Sequence, residues 1–143
     1  MVKVRRYQAA DKDALVQFWQ TVFPDDPVHN APARVIDEKL RVDDLIFVAE
    51  QPGGDVAGTP YLVGACMAGY DGHRGWLYAV AVLPDQQRRG IGKQLVLHSI
   101  DTLCDLGCVK INLQIRTDNT AVAGFYKSMG FSIEDRVSMG LLV

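Results

Sequence analysis

The sequence predicts an α+β domain, a mixed sheet flanked by helices, and three observations predict it. Apolar runs of strand length cluster in the middle of the chain, at residues 45–50, 61–69 and 76–83. Stripes of helical period lie on either side of them. Leu15, Phe18, Trp19 and Val22 come before; Val96, Ile100 and Leu103, then Val122, Phe125, Tyr126 and Met129, come after. One of these helices stands between two strand candidates and reads as a crossover. The predicted order is β-α-α-β-β-β-α-β-α-β.

Residues 2–7 read as a short strand, and Asp11 stands where an N-cap would open the first helix. Pro24, Pro27 and Pro32 break the chain into a loop before a second helix at about 33–42. Strands at 45–50 and 61–69 flank a Gly/Pro-rich turn at 51–60, the pattern of a hairpin. A second turn at 70–75 leads into 76–83, whose unbroken apolarity predicts a central strand covered on both faces. A helix begins at Gly90, and Gly107 stands at its expected C-terminal cap. Val109, Ile111, Leu113 and Ile115 alternate with Lys110, Asn112, Gln114 and Arg116, so residues 109–116 read as a strand with unlike faces. A last helix at about 119–129 ends at Gly130, and residues 131–143 read as a final strand.

No repeat or linker divides the 143 residues, so 1–143 reads as a single domain, long enough to bury its own core. A formal charge of -2 gives no reason to expect nucleic acid or a membrane surface as a partner. No apolar run is long enough to span a bilayer. Three cysteines, Cys66, Cys104 and Cys108, are an odd number in apolar or helical surroundings. With no basic-then-apolar leader, they suggest reduced thiols and a cytoplasmic location. Neither His nor further Cys stands at ligand spacing, so no metal is expected.

The chemistry concentrates in residues 80–93, where a buried strand opens through an Arg- and Gly-rich loop into a helix. Free N–H groups at a helix start, aided by the dipole, suit a phosphate. Gly90 and Gly92 allow close approach, and Arg88, Arg89 and Lys93 add positive charge. A solvated basic turn is the bland alternative. Leu95 departs from a dinucleotide fingerprint and Gln94 from a Walker A loop, so the anion belongs to another ligand class.

Gln87-Arg88-Arg89-Gly90-Ile91-Gly92 resembles the Gln/Arg-x-x-Gly-x-Gly/Ala signature of the GNAT superfamily of acyl-CoA-dependent N-acetyltransferases. Val82-Leu83-Pro84 before it resembles the family's strand end. Asp118-Asn119 and the run Phe125-Tyr126-Lys127-Ser128-Met129-Gly130-Phe131 resemble its second signature, in the right order and spacing. The turn at 69–75 further resembles small bacterial YpeA-type members. The resemblance implies a single-domain GNAT-like fold: a central mixed, mostly antiparallel sheet flanked by about four helices, its central strands splayed. It implies acetyl-CoA as co-substrate, with no metal. Gln87, Arg88, Arg89, Gly90, Ile91, Gly92 and Lys93 would hold the pyrophosphate, Ala81 and Val82 would pair with the pantetheine arm, and Asn119 would touch the cofactor. Asn119 also reads as an N-cap.

Transfer from a thioester to an amine needs a neutral amine, a polarised carbonyl and a stabilised thiolate. A backbone N–H near Val82 would supply the second, and the resemblance makes Tyr126 the catalytic residue for the third. Tyr126 also lies on an apolar stripe and suits the core. An alkyl amine of pKa near 10.4 is neutral only about once in a few thousand at pH 7. Many family members carry a Glu on the central strand for that proton. Tyr78 stands here instead, leaving water, Glu50, Asp71 or His73 as substitutes.

The leading expectation is therefore direct acetyl transfer to a primary amine of a small molecule or peptide. A protein N-terminal or lysine acetyltransferase and a non-catalytic acyl-CoA sensor are the alternatives. Residues 23–41, together with the turn at 70–75, would set the substrate. They hold acids (Asp25, Asp26, Asp37, Glu38) and bases (Arg34, Lys39, Arg41), so charge does not choose between a polyamine and an amino acid. An exposed final strand would also invite a homodimer.

Overall fold

The structure, a computed structural model, describes residues 1–53 and 60–143, so most of the expected turn at 51–60 lies outside the described residues. Two compact units, Met1–Leu113 and Gln114–Val143, are taken in turn.

In the first unit β1 (Lys3–Arg6) leads to α1 (Lys12–Val22) and α2 (Pro32–Leu40). Strands β2 (Ile46–Gln51), β3 (Tyr61–Tyr70) and β4 (Arg74–Val82) follow, then α3 (Ile91–Asp105) and β5 (Lys110–Asn112). The sheet is in sequence order, β1-β2-β3-β4-β5. Every pair is antiparallel except β4–β5, which is parallel and takes α3 as its crossover.

The two apolar faces of β2 explain the layers. Ile46 and Val48 join Leu15, Phe18, Trp19 and Ile36 in a core under α1 and α2. Phe47, between them in sequence, points the other way and meets His98 of α3 edge-on at 5.1 Å. Ser99 of α3 lies 3.0 Å from the Cys66 thiol of β3, and Leu95, Val96 and Leu103 complete that side. Strands β2 and β3 are thus the ones buried on both faces. β4, expected to be such a strand, has Tyr78 exposed and residues 79–82 only half-buried.

Helix ends follow from local chemistry. Gly107, at φ +101°, closes α3 with the N–H of Gly107 on the Cys104 carbonyl and that of Cys108 on the Leu103 carbonyl. Asp11 is not the side-chain cap of α1 that its position suggested. It is buried, and its carboxylate accepts from Arg5 Nη1 (2.7 Å), Arg5 Nη2 (2.8 Å) and the Gln8 N–H (2.8 Å). Arg5 also reaches Glu50 at 3.0 Å, tying β1 and β2 to the start of α1.

In the second unit α4 (Thr120–Ser128) starts at Asn119, whose side chain accepts from the Val122 N–H at 3.3 Å. Two expected strands are shorter or absent. β5 covers only Lys110–Asn112 of residues 109–116, because Asn112 is the last residue with a partner on β4. Residues 131–143 form no strand among the described residues. Alternation there gives two faces but, among the described residues, no ladder partner. Ile133, Val137, Met139, Leu141 and Leu142 are all exposed.

Candidate functional site

The parallel pairing of β4 with β5 stops early. Arg74, Gly75 and Trp76 face Lys110, Ile111 and Asn112, while β4 runs on to Val82. Beyond Trp76, no strand among the described residues pairs with its β5-side edge, as a splayed sheet requires. On the β3 side, Ala65 faces Ala81 and Met67 faces Tyr78, so Ala79 and Val80 stand opposite Cys66 alone. This is a β-bulge, and Ala79 adopts φ +48° within it. Nothing in the sequence announces it, since neither Gly nor Pro is present. A bulge turns backbone groups out of the ladder, the means by which a strand can offer an N–H to a ligand.

Past the bulge the strand's direction is fixed by its neighbours. The Leu83 N–H bonds to Val63 at 2.8 Å, so Ala81, of the same parity, also turns to β3. Val82 turns the other way, to the open edge, where its carbonyl accepts from Gln87 Nε2 at 3.3 Å. Gln87 therefore bridges the strand end and the loop. Arg88 and Gly90 are both left-handed, at φ +65° and +80°, and bracket Arg89, which bonds to Gln86 Oε1. Such alternation gathers backbone N–H groups into a concave anion site. Gly90 is the N-cap of α3, and the first bond within the helix runs from Gln94 to its carbonyl at 3.0 Å. The N–H groups of Ile91, Gly92 and Lys93 precede that bond and have no acceptor in the helix. Ile91 is buried and anchors the turn, while Gln87, Arg88, Arg89, Gly90 and Lys93 are exposed. A Cβ at Gly90 would meet no atom within 4 Å, so open space lies over the helix start. These groups fit a pyrophosphate with an extended arm beside Val82.

A cavity of about 380 Å³ opens beside the bulge. Tyr78 and Ala79 of β4 and Met67 of β3 form its floor, and Trp19 and Phe23 of α1 and its end form one wall. Asp26 and Asn30 of the following loop, with Pro32 and Val35 of α2, form the other. Residues distant in sequence thus meet where an amine would have to approach the bulge.

Residues 12–131 match the Acetyltransferase (GNAT) family. The chain belongs to that family. It is similar to an acetyltransferase of Pectobacterium atrosepticum, 33% identical over 139 residues, covering 97% of this chain and 94% of that protein. An acetyltransferase of Sodalis glossinidius is 34% identical over 95% of this chain and 91% of its own. In fold it resembles an aminoglycoside N-acetyltransferase bound to a CoA-linked bisubstrate analogue, with TM-score 0.80, 19% identity and coverage of 100% and 99%. A ribosomal-protein alanine N-acetyltransferase of Escherichia coli gives TM-score 0.73, 24% identity and coverage of 92% and 78%. One of these acts on a small molecule and the other on a protein, so fold alone does not choose the acceptor.

The acetyltransferase carries no acid at Tyr78, and two of the substitutes named above are engaged elsewhere. Glu50 is paired with Arg5. Asp71 accepts the N–H groups of Arg74 (2.7 Å) and His73 (2.9 Å), which hold its carboxyl below the usual range and make it a poor base. His73 shares that turn, six residues before Ala79, or about 20 Å along an extended strand. Asp26, at the cavity wall, is the acid that the sequence could not single out from its neighbours. Among the described residues no helix is long and apolar enough to cross a membrane.

The second signature has a local explanation. In α4 the Gly130 N–H bonds to the Lys127 carbonyl and the Phe131 N–H to that of Tyr126, with Gly130 at φ +97°. This is a Schellman cap, and Tyr126 and Phe131 make the apolar contact that accompanies it, rings edge-on at 5.4 Å. Tyr126 also packs against Phe125 at 4.9 Å and is 7% exposed. The spacing from Tyr126 to Gly130 is therefore a helix-ending geometry, whatever chemistry the phenol adds.

Proposed function

We propose that residues 1–143 act as one N-acetyltransferase domain that moves the acetyl group of acetyl-CoA directly to a primary amine of a small molecule. The observation that carries this is the continuity of the open Val82 edge with the uncapped start of α3. Acetyl-CoA supplies a thioester carbonyl and a thiolate leaving group. The chain supplies the rest. N–H groups around Gly90 bind phosphate oxygens, with Arg88, Arg89 and Lys93 adding charge, and Val82 aligns the arm. The bulge at Ala79 and Val80 aims backbone dipoles at the reacting carbonyl. Asn119 is assigned to the cofactor and Tyr126 to proton donation, both carried by the signature rather than by position. One C–N bond forms and one C–S bond breaks; the amine loses a proton and the sulfur leaves as thiol.

The buried cysteine of β3 supports direct transfer. Burial pushes the Cys66 thiol up to about 11, only partly offset by its bond to Ser99, so it is a poor nucleophile. All three thiols are free, which suits a reducing cytoplasm. The test is thermal: acetyl-CoA at about 100 times its dissociation constant adds roughly 2.7 kcal/mol, several degrees in Tm. Gly90→Glu abolishes that shift through strain and charge. Absence of any shift at millimolar acetyl-CoA would refute the proposal.

A further inference from the structure

The charges around residues 23–41 do not choose an acceptor in the sequence, but the structure cancels most of them. Arg34 is bound to Glu38, Lys39 to Asp43 and Asp37 to Lys12, each at 2.7 Å. Asp25, Asp26 and Arg41 remain, with no ion-pair partner among the described residues. Of these three, Asp26 lines the cavity. Beside it are the rings of Trp19, Phe23 and Tyr78, and among the described residues no Lys, Arg or His lines the space.

These walls favour one kind of charge. Aromatic faces and a carboxylate both attract an organic cation. A substrate carboxylate would meet a like charge and no cationic partner, and burying it unpaired is unfavourable. The reacting nitrogen attacks as the neutral base, so it is not the group Asp26 holds as a cation at that moment. A second ammonium on the same molecule can be. About 380 Å³ lies near the small end of ligand pockets.

Resting on the acetyltransferase reading, we propose that the acceptor is a small organic cation without a carboxylate, a diamine or amine-bearing base. One nitrogen is acetylated at the bulge while the other sits by Asp26 among the three rings. Amino acids are excluded.

Ornithine is 1,4-diaminobutane plus a carboxylate, and lysine is 1,5-diaminopentane plus a carboxylate, so the two pairs isolate the forbidden group. With saturating acetyl-CoA and CoA release as readout, each amine is expected to exceed its amino acid at least tenfold in kcat/KM. Asp26→Asn narrows the preference for 1,4-diaminobutane over butylamine about three- to fivefold, the effect of an exposed ion pair. Equal turnover of ornithine, or an unchanged preference in Asp26→Asn, overturns the proposal. A binding readout separates this from the parent reading. The chain has two Trp, so Trp76→Phe leaves Trp19 as sole reporter in the cavity wall. Its fluorescence is expected to titrate with 1,4-diaminobutane and not with ornithine. Titration without acetyl transfer keeps the cation site and sinks the enzyme reading. Acetyl transfer and an acetyl-CoA shift without that titration do the reverse.

Discussion

Two glycines set β3 and β4 against α3, and substituting each in turn separates stability from cofactor binding. A Cβ on Gly64 would lie 2.9 Å from Leu95 Cδ1, 3.2 Å from Ile91 Cγ2 and 3.2 Å from the Ala81 carbonyl oxygen. A Cβ on Gly75 would lie 2.8 Å from Leu103 Cδ1 and 3.0 Å from Cys108 Sγ. Favourable carbon contacts begin near 3.5 Å, so both sites must yield by several tenths of an ångström. Overpacking of this size costs about 1–3 kcal/mol. Leu95 can rotate away, but the stiff Ile91 and the Ala81 backbone cannot, which puts Gly64→Ala near 2 kcal/mol. At about 2–4 °C per kcal/mol, Tm falls by about 4–8 °C. Gly75→Ala costs a similar amount at the far end of α3. Only Gly64→Ala displaces Ala81 and Ile91, between which the strand end, the loop and the helix start are held. It is expected to weaken acetyl-CoA about five- to tenfold, while Gly75→Ala leaves affinity unchanged. Urea melts and acetyl-CoA titration of both variants decide the matter. Equal loss of affinity in both, or a Gly64→Ala protein as stable as wild type, would refute the reasoning.

Asp11→Ala leaves Arg5 with Glu50 as its one carboxylate and orphans the Gln8 N–H, so about 3 kcal/mol of stability is lost at pH 7 in chemical denaturation. Burial raises the Asp11 carboxyl, but the Arg5 bonds and the Gln8 N–H outweigh it and hold it below the usual range. Its contribution is therefore present above the unfolded pKa of about 3.9 and lost as pH falls through the folded value. The gap between wild type and variant should be constant from pH 5 to 7 and narrow below pH 4; a gap that widens in acid contradicts the assignment. Tyr126→Phe keeps the ring packing on Phe125 and Phe131, so Tm should hold within a few degrees. If the phenol donates the proton, kcat drops about a hundredfold or more with acetyl-CoA affinity retained. Unchanged kcat would leave Tyr126 a cap residue only.

What the sequence made legible was whatever a residue decides alone or with its helical neighbours. The stripe of Leu15, Phe18, Trp19 and Val22 placed α1, and Gly107 and Gly130 placed two helix ends, because left-handed caps require them. The change to helical period at Gly90 marked the start of α3. What stayed hidden depends on a partner. Ala79 and Arg88 take positive φ with side chains that give no sign of it. The Ala79 bulge is a mismatch of register between β3 and β4, a property of neither strand by itself. Residues 109–116 and 131–143 alternate as strands do, yet only Lys110–Asn112 finds an edge to pair with. Asp11 stood where a cap belongs and is held by Arg5 from β1 instead. The cavity was invisible because its walls come from α1, a loop, α2 and two strands.

The placement of the candidate site follows from one connection. Each earlier neighbour in the sheet is antiparallel, and only β4–β5 needs a crossover. α3 must leave from the C-terminal end of β4 and return the chain to its N-terminal end, where Arg74 meets Lys110. Fifteen helical residues cover about 22 Å, against about 30 Å for the nine residues of β4. The helix start, with its free N–H groups, is therefore delivered beside the end of β4. β5 begins at the opposite end and departs after three pairs, so that same end keeps an open edge. Had β5 paired along the whole of β4, the anion site would remain but no strand edge would adjoin it. Had the connection been a hairpin, the edge would be filled and the helix dipole absent. A ligand with an anionic head and an extended, amide-bearing arm is what this combination accommodates.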